Sequence, residues 1–150
     1  ARAEDPREAL SHFAGAVPAV NARHSQSGWA ALNHVVKQAG IKLAAPVITG
    51  AHAGSIRAVA IGECALAAID AVSWGLAVES MPEAARLKVI ARSEPSPALP
   101  FITARGQDVT AIQAGMAAAF EALPNALAVQ FGDCRFLART NELYRAEPWE

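Results

Sequence analysis

Eight residues with hydrogen-bonding groups or flexible backbone gather at three places, each just after a short apolar run. They are Ser25, Gln26, Ser27, Gly28, Thr49, His52, Ser55 and Asp70. Serine hydroxyls, a histidine ring and the free N–H groups at helix starts are donors suited to an anion. The pattern therefore favours a site that binds a small anion without transforming it.

A hydrolytic enzyme is the alternative, because Ser25 or Ser27 with His52 and Asp70 supplies the residue types of a catalytic triad. Both serines, however, lie in a turn that opens a helix, and the chain has no G-x-S-x-G motif. It also lacks the H-E-x-x-H, Walker A and G-x-G-x-x-G patterns, and its cysteines have no metal-ligand spacing. We therefore predict a binding protein with no catalytic residues, no metal and no cofactor.

The same residues have a structural interpretation, since serine and aspartate at helix starts often do no more than cap the helix. The interpretation as a site rests on three such clusters at successive strand ends. In an open α/β sheet, ligands bind at the carboxyl ends of the strands. We therefore expect Ser25, Ser27, His52 and Asp70 to surround one solvent-accessible concavity.

Short β-prone runs alternate with runs of helical period, which is typical of α/β proteins with helices on both faces of a mainly parallel sheet, a three-layer arrangement. The third run, nearly all apolar, is expected at the centre of the sheet. Helices are predicted at 29–39, 55–61, after Asp70, and at 108–123, with a break at Pro82. The predicted strands are 17–22, 45–49, 64–69 and 87–91, with a further extended run at 99–104.

Composition excludes several classes of function. The 13 basic and 14 acidic residues nearly cancel and form no basic cluster, so nucleic-acid binding is not expected. The apolar runs are too short to cross a bilayer. Residues 1–8 show no signal peptide, although a removed one is compatible with the sequence. Cys64 and Cys134 are either two buried thiols or one disulfide.

An ordered set of segments resembles the substrate-binding components of phosphonate/phosphite ABC transporters. Residues 93–100 are similar to the segment with which those proteins leave one lobe and return toward the hinge. No single segment is specific, whereas their order and spacing are. The remaining segments that carry the resemblance are Ala19-Val20-Asn21, Ser25-Gln26-Ser27-Gly28, Thr49-Gly50-Ala51-His52 with Ser55-Ile56, Ala60-Ile61-Gly62-Glu63 and Ala67-Ala68-Ile69-Asp70.

The resemblance implies one lobe of a type II periplasmic-binding fold, with a lead-in at 1–16, a ligand-binding lobe at 17–104, and a helix and return segment at 105–150. It implies a solute-binding protein that captures a phosphonate, phosphate or related oxyanion for an ABC permease, in the periplasm or as an extracytoplasmic lipoprotein. The alternative is an enzyme or ligand sensor built on the same fold.

By matching position, the turn from Ser25 to Ser27 would bind the oxyanion through hydroxyl and N–H groups, and His52 would add a side-chain donor. Asp70 would accept from a protonated ligand group or face the hinge. Family members normally have a preceding segment that builds much of the first lobe, so the chain is expected to be a fragment or a single-lobe protein. Its apolar tail, 131–150, should pack on its own sheet or in a neighbouring copy, which makes a homo-oligomer possible.

Overall fold

Two units make up the chain, and the division between them falls between Glu94 and Pro95. The computed structural model describes residues 1–96, 98, 100–125, 127–128 and 136. The first unit contains a parallel sheet with its helices, and the second contains one long helix. All eight predicted site residues belong to the first unit.

The sheet has three short parallel strands, β1 (Pro18–Val20), β2 (Val47–Ile48) and β3 (Leu66–Ala67), in the order β2-β1-β3. From β1 the chain moves to one side to form β2, and then crosses back over β1 to form β3. Because such crossovers are right-handed, reversing direction puts the two connecting helices on opposite faces. These helices are α1 (Ala31–Gln38) and α2 (His52–Ala60).

Alternation along β1 sends neighbouring side chains into two different cores. Val20 lies in the core under α1, and Ala19 lies in the core under α2. The first core joins Phe13, Val20, Leu32, Val36 and Leu66. The second core joins Ala19, Ala58, Val59 and Cys64. The predicted α/β class, with helices on both faces of a parallel sheet, is confirmed.

The prediction that the third strand is central is wrong, because β1 lies between the other two. Strand β3 is apolar since both its faces are covered. Leu66 is buried in the core under α1, while Ala67 packs against the core under α2. The apolar run therefore indicated that both faces of the strand are covered. An edge strand that lies between two helices is covered in the same way as a central one.

A fourth strand at 87–91 was also predicted wrongly. The backbone there pairs with the start of the chain, where Lys88 N–H donates to Ala1 C=O (2.8 Å) and Ala3 N–H donates to Arg86 C=O (2.7 Å). A single antiparallel bridge joins Arg2 to Leu87. Of the extended run predicted at 99–104, the described residues 100–104 form no strand, and Ile102 is 90% exposed.

The remaining helices follow the predicted ones closely. Helix α3 (Ala71–Ser80) comes after Asp70, and a 3-10 turn at Pro82–Arg86 marks the expected break. Helix α2 begins at His52 rather than Ser55, and α1 is preceded by a π-helical turn at Gln26–Ala30. No helix among the described residues has the length and apolar character needed to span a membrane.

The second unit contains α4 (Val109–Glu121), whose first turn is capped by Asp108 through a hydrogen bond from Ala111 N–H (3.0 Å). The ring of Phe120 lies 6.5 Å from that of Phe101 and 5.9 Å from that of Phe136. Apart from Phe136, the predicted packing of the tail at 131–150 lies outside the described residues.

The cysteine prediction is tested at one of its two positions. Cys64 is a buried free thiol packed in the core under α2, and its burial raises the pKa of the thiol. Cys134 lies outside the described residues. Cys64 therefore behaves as a small apolar core residue.

Candidate anion-binding site

The polar turns after β1 and β2 are held side by side by the backbone. Thr49 N–H donates to Val20 C=O (2.9 Å), and Gly50 N–H donates to Asn21 C=O (3.0 Å). Gly50 has a φ of +84°, a left-handed conformation that glycine adopts without steric cost. The chain can thus turn sharply from β2 into α2, which places His52 beside the end of the central strand.

His52 is the residue on which the other polar side chains converge. Its Nε2 atom lies 3.1 Å from Ser27 Oγ and 3.2 Å from Asp70 Oδ2. The same atom lies 3.4 Å from Asn21 Nδ2. The structure therefore brings together one residue from each of the three predicted clusters, and adds Asn21. Their part in ligand binding stays a prediction.

Two of these neighbours are held in place by helix capping. Ser25 Oγ accepts a hydrogen bond from Gly28 N–H (3.0 Å), which fixes the turn that carries Ser27. Asp70 Oδ1 accepts from Ser73 N–H (2.8 Å) at the start of α3. The second oxygen of Asp70, Oδ2, is the one that contacts His52.

Asp70 is ionised at neutral pH. Burial raises the pKa of its carboxyl group, but hydrogen bonds from Ser73 and the positive charge of a protonated His52 outweigh burial and lower the pKa below its ordinary value. An ionised carboxylate only accepts hydrogen bonds. The contact between Asp70 Oδ2 and His52 Nε2 is therefore favourable only when Nε2 carries a proton.

The other ring nitrogen of His52 leads to the same conclusion. Nδ1 is buried and makes no hydrogen bond within the part of the chain that the structure describes. A proton on Nδ1 would leave a buried donor unpaired and would turn the Nε2 lone pair toward a carboxylate. The favoured ring therefore carries its proton on Nε2, as a donor.

The start of α2 adds donors next to this ring. Ala51 precedes the helix and has no side-chain oxygen to cap it, so the N–H groups of the first turn receive no such bond from Ala51. The positive end of the helix dipole lies at the same place. His52, the first residue of α2, thus offers a side-chain donor beside backbone donors.

Thr49 and Ser55 form a separate polar pair. Their hydroxyl oxygens lie 2.7 Å apart, and the Thr49 hydroxyl also contacts the carbonyl oxygens of Val20 and Ala51. Ser55 is 0% exposed, whereas the side chains of His52 and Asp70 are 14% and 34% exposed. These contacts favour a structural role for the pair, joining the end of β2 to α2. Gln26, the remaining predicted residue, begins the π-helical turn.

The geometry differs from that of a hydrolytic triad. In a triad, the serine and the carboxylate bind opposite nitrogens of the histidine ring. Here Ser27 and Asp70 both contact Nε2, and Nδ1 is unpaired within the described residues. No group of three or more potential metal-binding side chains occurs in that part of the chain either.

Sequence reasoning did not place Asn21 among the site residues. The predicted strand ran through residue 22, which put Asn21 inside it, whereas β1 ends at Val20. Its position in the sequence could have indicated a site residue, because Asn21 is the first polar residue after an apolar run. Thr49 and Asp70 were selected for similar positions after β2 and β3.

The parallel sheet with helices on both faces places the chain among open α/β-sheet proteins, in which ligands bind at the carboxyl ends of the strands. A family model described as "ABC transporter, phosphonate, periplasmic substrate-binding protein" matches residues 1–143. The chain belongs to this family, and the resemblance seen in its sequence is confirmed. The family implies a small ligand, an ABC permease as partner and a location outside the cytoplasm. No curated protein sequence gives a significant match.

Proposed function

We propose that this domain binds a phosphonate, phosphate or related oxyanion at the ends of its three strands and presents it to an ABC permease. Family membership supports the transport role. The contacts around His52 support the position of the anion. The proposed donors are His52 Nε2–H, the hydroxyl of Ser27 and the first backbone N–H groups of α2.

The arrangement of His52 and Ser27 is the observation that carries this proposal. A proton on Nε2 makes the ring a donor, and Ser27 Oγ lies 3.1 Å from the same atom. A ligand whose own donor replaced His52 Nε2–H at Asp70 would free that N–H, and a ligand oxygen could then receive two side-chain hydrogen bonds next to a helix start. Donors arranged in this way suit an oxyanion, because hydrogen bonds to a charged group are about twice as strong as neutral ones.

Asp70 influences which anion would bind. Its carboxylate lies 3.2 Å from His52 Nε2 and would repel a fully deprotonated oxyanion. A ligand with a hydrogen-bond donor directed at Asp70 would instead be accepted. We propose a ligand that carries a donor next to its anionic group, for example a protonated oxygen.

Binding without turnover is proposed on the same geometry. With Ser27 and Asp70 on one nitrogen of His52, the ring is not arranged to pass a proton from the serine while the carboxylate holds its other side. We also propose a location in the periplasm, or on the outer side of a membrane as a lipoprotein, where family members meet their permeases.

Replacing His52 with glutamine tests this proposal. We expect His52→Gln to weaken binding of methylphosphonate about 10- to 100-fold, which corresponds to losing a hydrogen bond to a charged group. Isothermal titration calorimetry measures the affinity. The matched control is His12→Gln, which makes the same change at an exposed position and should leave the affinity unchanged.

Equal affinities of the two variants would contradict the proposed site. Absence of binding by the unmodified chain to methylphosphonate, phosphate and phosphite would contradict the proposed ligand class. Mass spectrometry of the recovered ligand tests the enzyme alternative, because a changed mass would show turnover.

A further inference from the structure

The side chain of Asn21 is held between the central strand and the turn that carries Ser27. Its backbone C=O accepts from Gly50 N–H (3.0 Å), which fixes the residue at the end of β1. Its amide nitrogen lies 3.4 Å from His52 Nε2. Its amide oxygen is buried and makes no hydrogen bond within the described residues.

This orientation of the amide conflicts with the contact between His52 and Asp70. Asp70 requires a proton on Nε2, whereas an amide N–H of Asn21 directed at Nε2 requires a lone pair there. One nitrogen cannot satisfy both at once. The buried Oδ1 of Asn21 has no partner in the same orientation, so two unfavourable features occur together.

A half-turn about the Cβ–Cγ bond of Asn21 removes the conflict at Nε2. The amide oxygen and nitrogen exchange places, and hydrogen bonding decides between the two orientations. After the half-turn, Oδ1 faces Nε2–H of His52, so that it and Asp70 Oδ2 are both acceptors beside one proton, as in a three-centre hydrogen bond. The amide nitrogen then lies on the side of Gly28 and Ser25.

Gly28 provides the space that this amide occupies. A Cβ atom at Gly28 would lie 2.9 Å from Asn21 Cγ and closer still to Oδ1, so any larger residue would displace the amide. The same Cβ would lie 3.2 Å from Ser25 Oγ, a milder contact that a shift of a few tenths of an ångström would relieve. Gly28 does not have a positive φ, which leaves the nearby amide as the reason for glycine here.

We infer that Asn21 is a positioning residue of the anion site, whose amide oxygen keeps the proton of the His52 ring on Nε2, the atom of the proposed ligand contact, while Gly28 leaves room for the amide. This inference rests on the proposed function for its ligand. The state of the His52 ring can nevertheless be measured without any ligand. Failure of the inference and failure of the proposed function are therefore distinguishable.

The first test is the nitrogen NMR spectrum of the His52 ring in the unliganded protein, recorded at a pH where the ring is neutral. The inference expects the proton on Nε2. A proton on Nδ1 would overturn it, because Asn21 would then donate to Nε2. This NMR measurement does not depend on whether the protein binds methylphosphonate.

Variants at Asn21 separate its contribution from that of Asp70. In an Asp70→Asn background, Asn21→Leu should raise the fraction of ring protons on Nδ1, whereas Asn21→Asp, which only accepts, should keep them on Nε2. An unchanged ring spectrum in the Asn21→Leu, Asp70→Asn protein would overturn the inference. The matched control is Asn33→Leu, at an exposed position on α1.

The affinity for methylphosphonate tests whether Asn21 contributes to ligand binding. Asn21→Leu alone should weaken binding about fivefold, the usual effect of losing one hydrogen bond. Asn21→Asp should also weaken binding, through its added negative charge, while the ring spectrum stays unchanged. In the Asp70→Asn background, a loss of affinity on adding Asn21→Leu with no change in the ring spectrum would indicate a purely structural role and overturn the inference.

A double-mutant cycle tests the part played by Gly28. Gly28→Ala should weaken methylphosphonate binding when Asn21 is present, because the new methyl group displaces the amide. In an Asn21→Ala background the same change should have little further effect, since the space is free. Equal effects in both backgrounds would overturn the assigned pairing of Gly28 with Asn21.

Discussion

Two polar pairs at neighbouring strand ends are built from similar residues but are satisfied differently. Thr49 and Ser55 have their hydroxyl groups 2.7 Å apart, and the Thr49 hydroxyl also contacts two backbone carbonyls. Ser27 and His52 are 3.1 Å apart, but His52 stays partly exposed and its ring leaves Nδ1 unpaired within the described residues. The first pair uses its groups within the fold, while the second pair is partly open to solvent.

This difference separates a hydroxyl that is buried in the fold from one that is proposed to bind a ligand. Residue type and position after a strand are shared by both pairs. Exposure and remaining hydrogen-bond capacity are not shared, because Ser55 is fully buried. A buried hydroxyl that has lost its partner destabilises the fold, whereas a partly exposed one is solvated by water. The two serines should therefore respond oppositely in tests of stability and of binding.

The largest effect on stability is expected for Ser55→Ala. Removing this hydroxyl takes one of the hydrogen-bond partners from Thr49 in the interior and should lower the free energy of unfolding by about 0.5–1.5 kcal/mol. Urea denaturation of the purified chain measures the change. The matched variant is Ser27→Ala, whose cost should be smaller because water can replace the lost group.

Equal losses of stability in the two variants would contradict the proposed difference between Ser55 and Ser27. A weaker affinity for methylphosphonate in Ser55→Ala than in Ser27→Ala, with both proteins fully folded at the assay temperature, would contradict it as well. Ser55 would then belong to the ligand site, as its position after β2 had predicted.

For Ser27→Ala, the expected effect is on affinity. Loss of one side-chain donor to an oxyanion should weaken methylphosphonate binding by about 1 kcal/mol, roughly fivefold. Calorimetric titration at neutral pH measures it. Ser11→Ala, at an exposed position in the lead-in, is the control and should bind like the unmodified chain. Equal binding by the Ser27 and Ser11 variants would remove Ser27 from the proposed site.

The fold could be predicted where the hydrophobic pattern has one interpretation. Alternating apolar runs and helical periods predicted the three parallel strands and the helices around them, because both faces of the sheet need covering. Strand order was not predictable from an apolar run alone, as β3 shows. The segment at 87–91 was misjudged because its partner is the start of the chain, a contact between distant residues that no local pattern indicates.

The convergence of Ser27, His52 and Asp70 was predictable because the carboxyl ends of parallel strands meet at one edge. What the sequence did not indicate was how each hydroxyl is satisfied. Ser55 and Ser27 look alike in sequence, but only the position of Thr49 makes Ser55 a buried partner. Asn21 was not predicted as a site residue because the predicted end of β1 was too late in the sequence. Strand ends are the least certain part of a sequence pattern.

The smallest expected effect concerns Asp70 and pH. The folded-state pKa of Asp70 is lowered, so its charge contributes stability above the unfolded-state pKa of about 3.9. That contribution is lost as the pH falls through the lower folded-state pKa. Asparagine can still cap α3 through its side-chain oxygen, so Asp70→Asn removes mainly the charge. Because the Asp70 side chain is 34% exposed, solvent screening keeps the effect modest.

We therefore expect Asp70→Asn to be less stable than the unmodified chain at pH 7, with a difference that shrinks below about pH 4. Urea denaturation at several pH values measures both free energies of unfolding. The same substitution in a His52→Gln background isolates the part due to the histidine, since the hydrogen bond from Ser73 N–H remains. A difference that stays constant with pH would show that the charge of Asp70 is not what stabilises the end of β3.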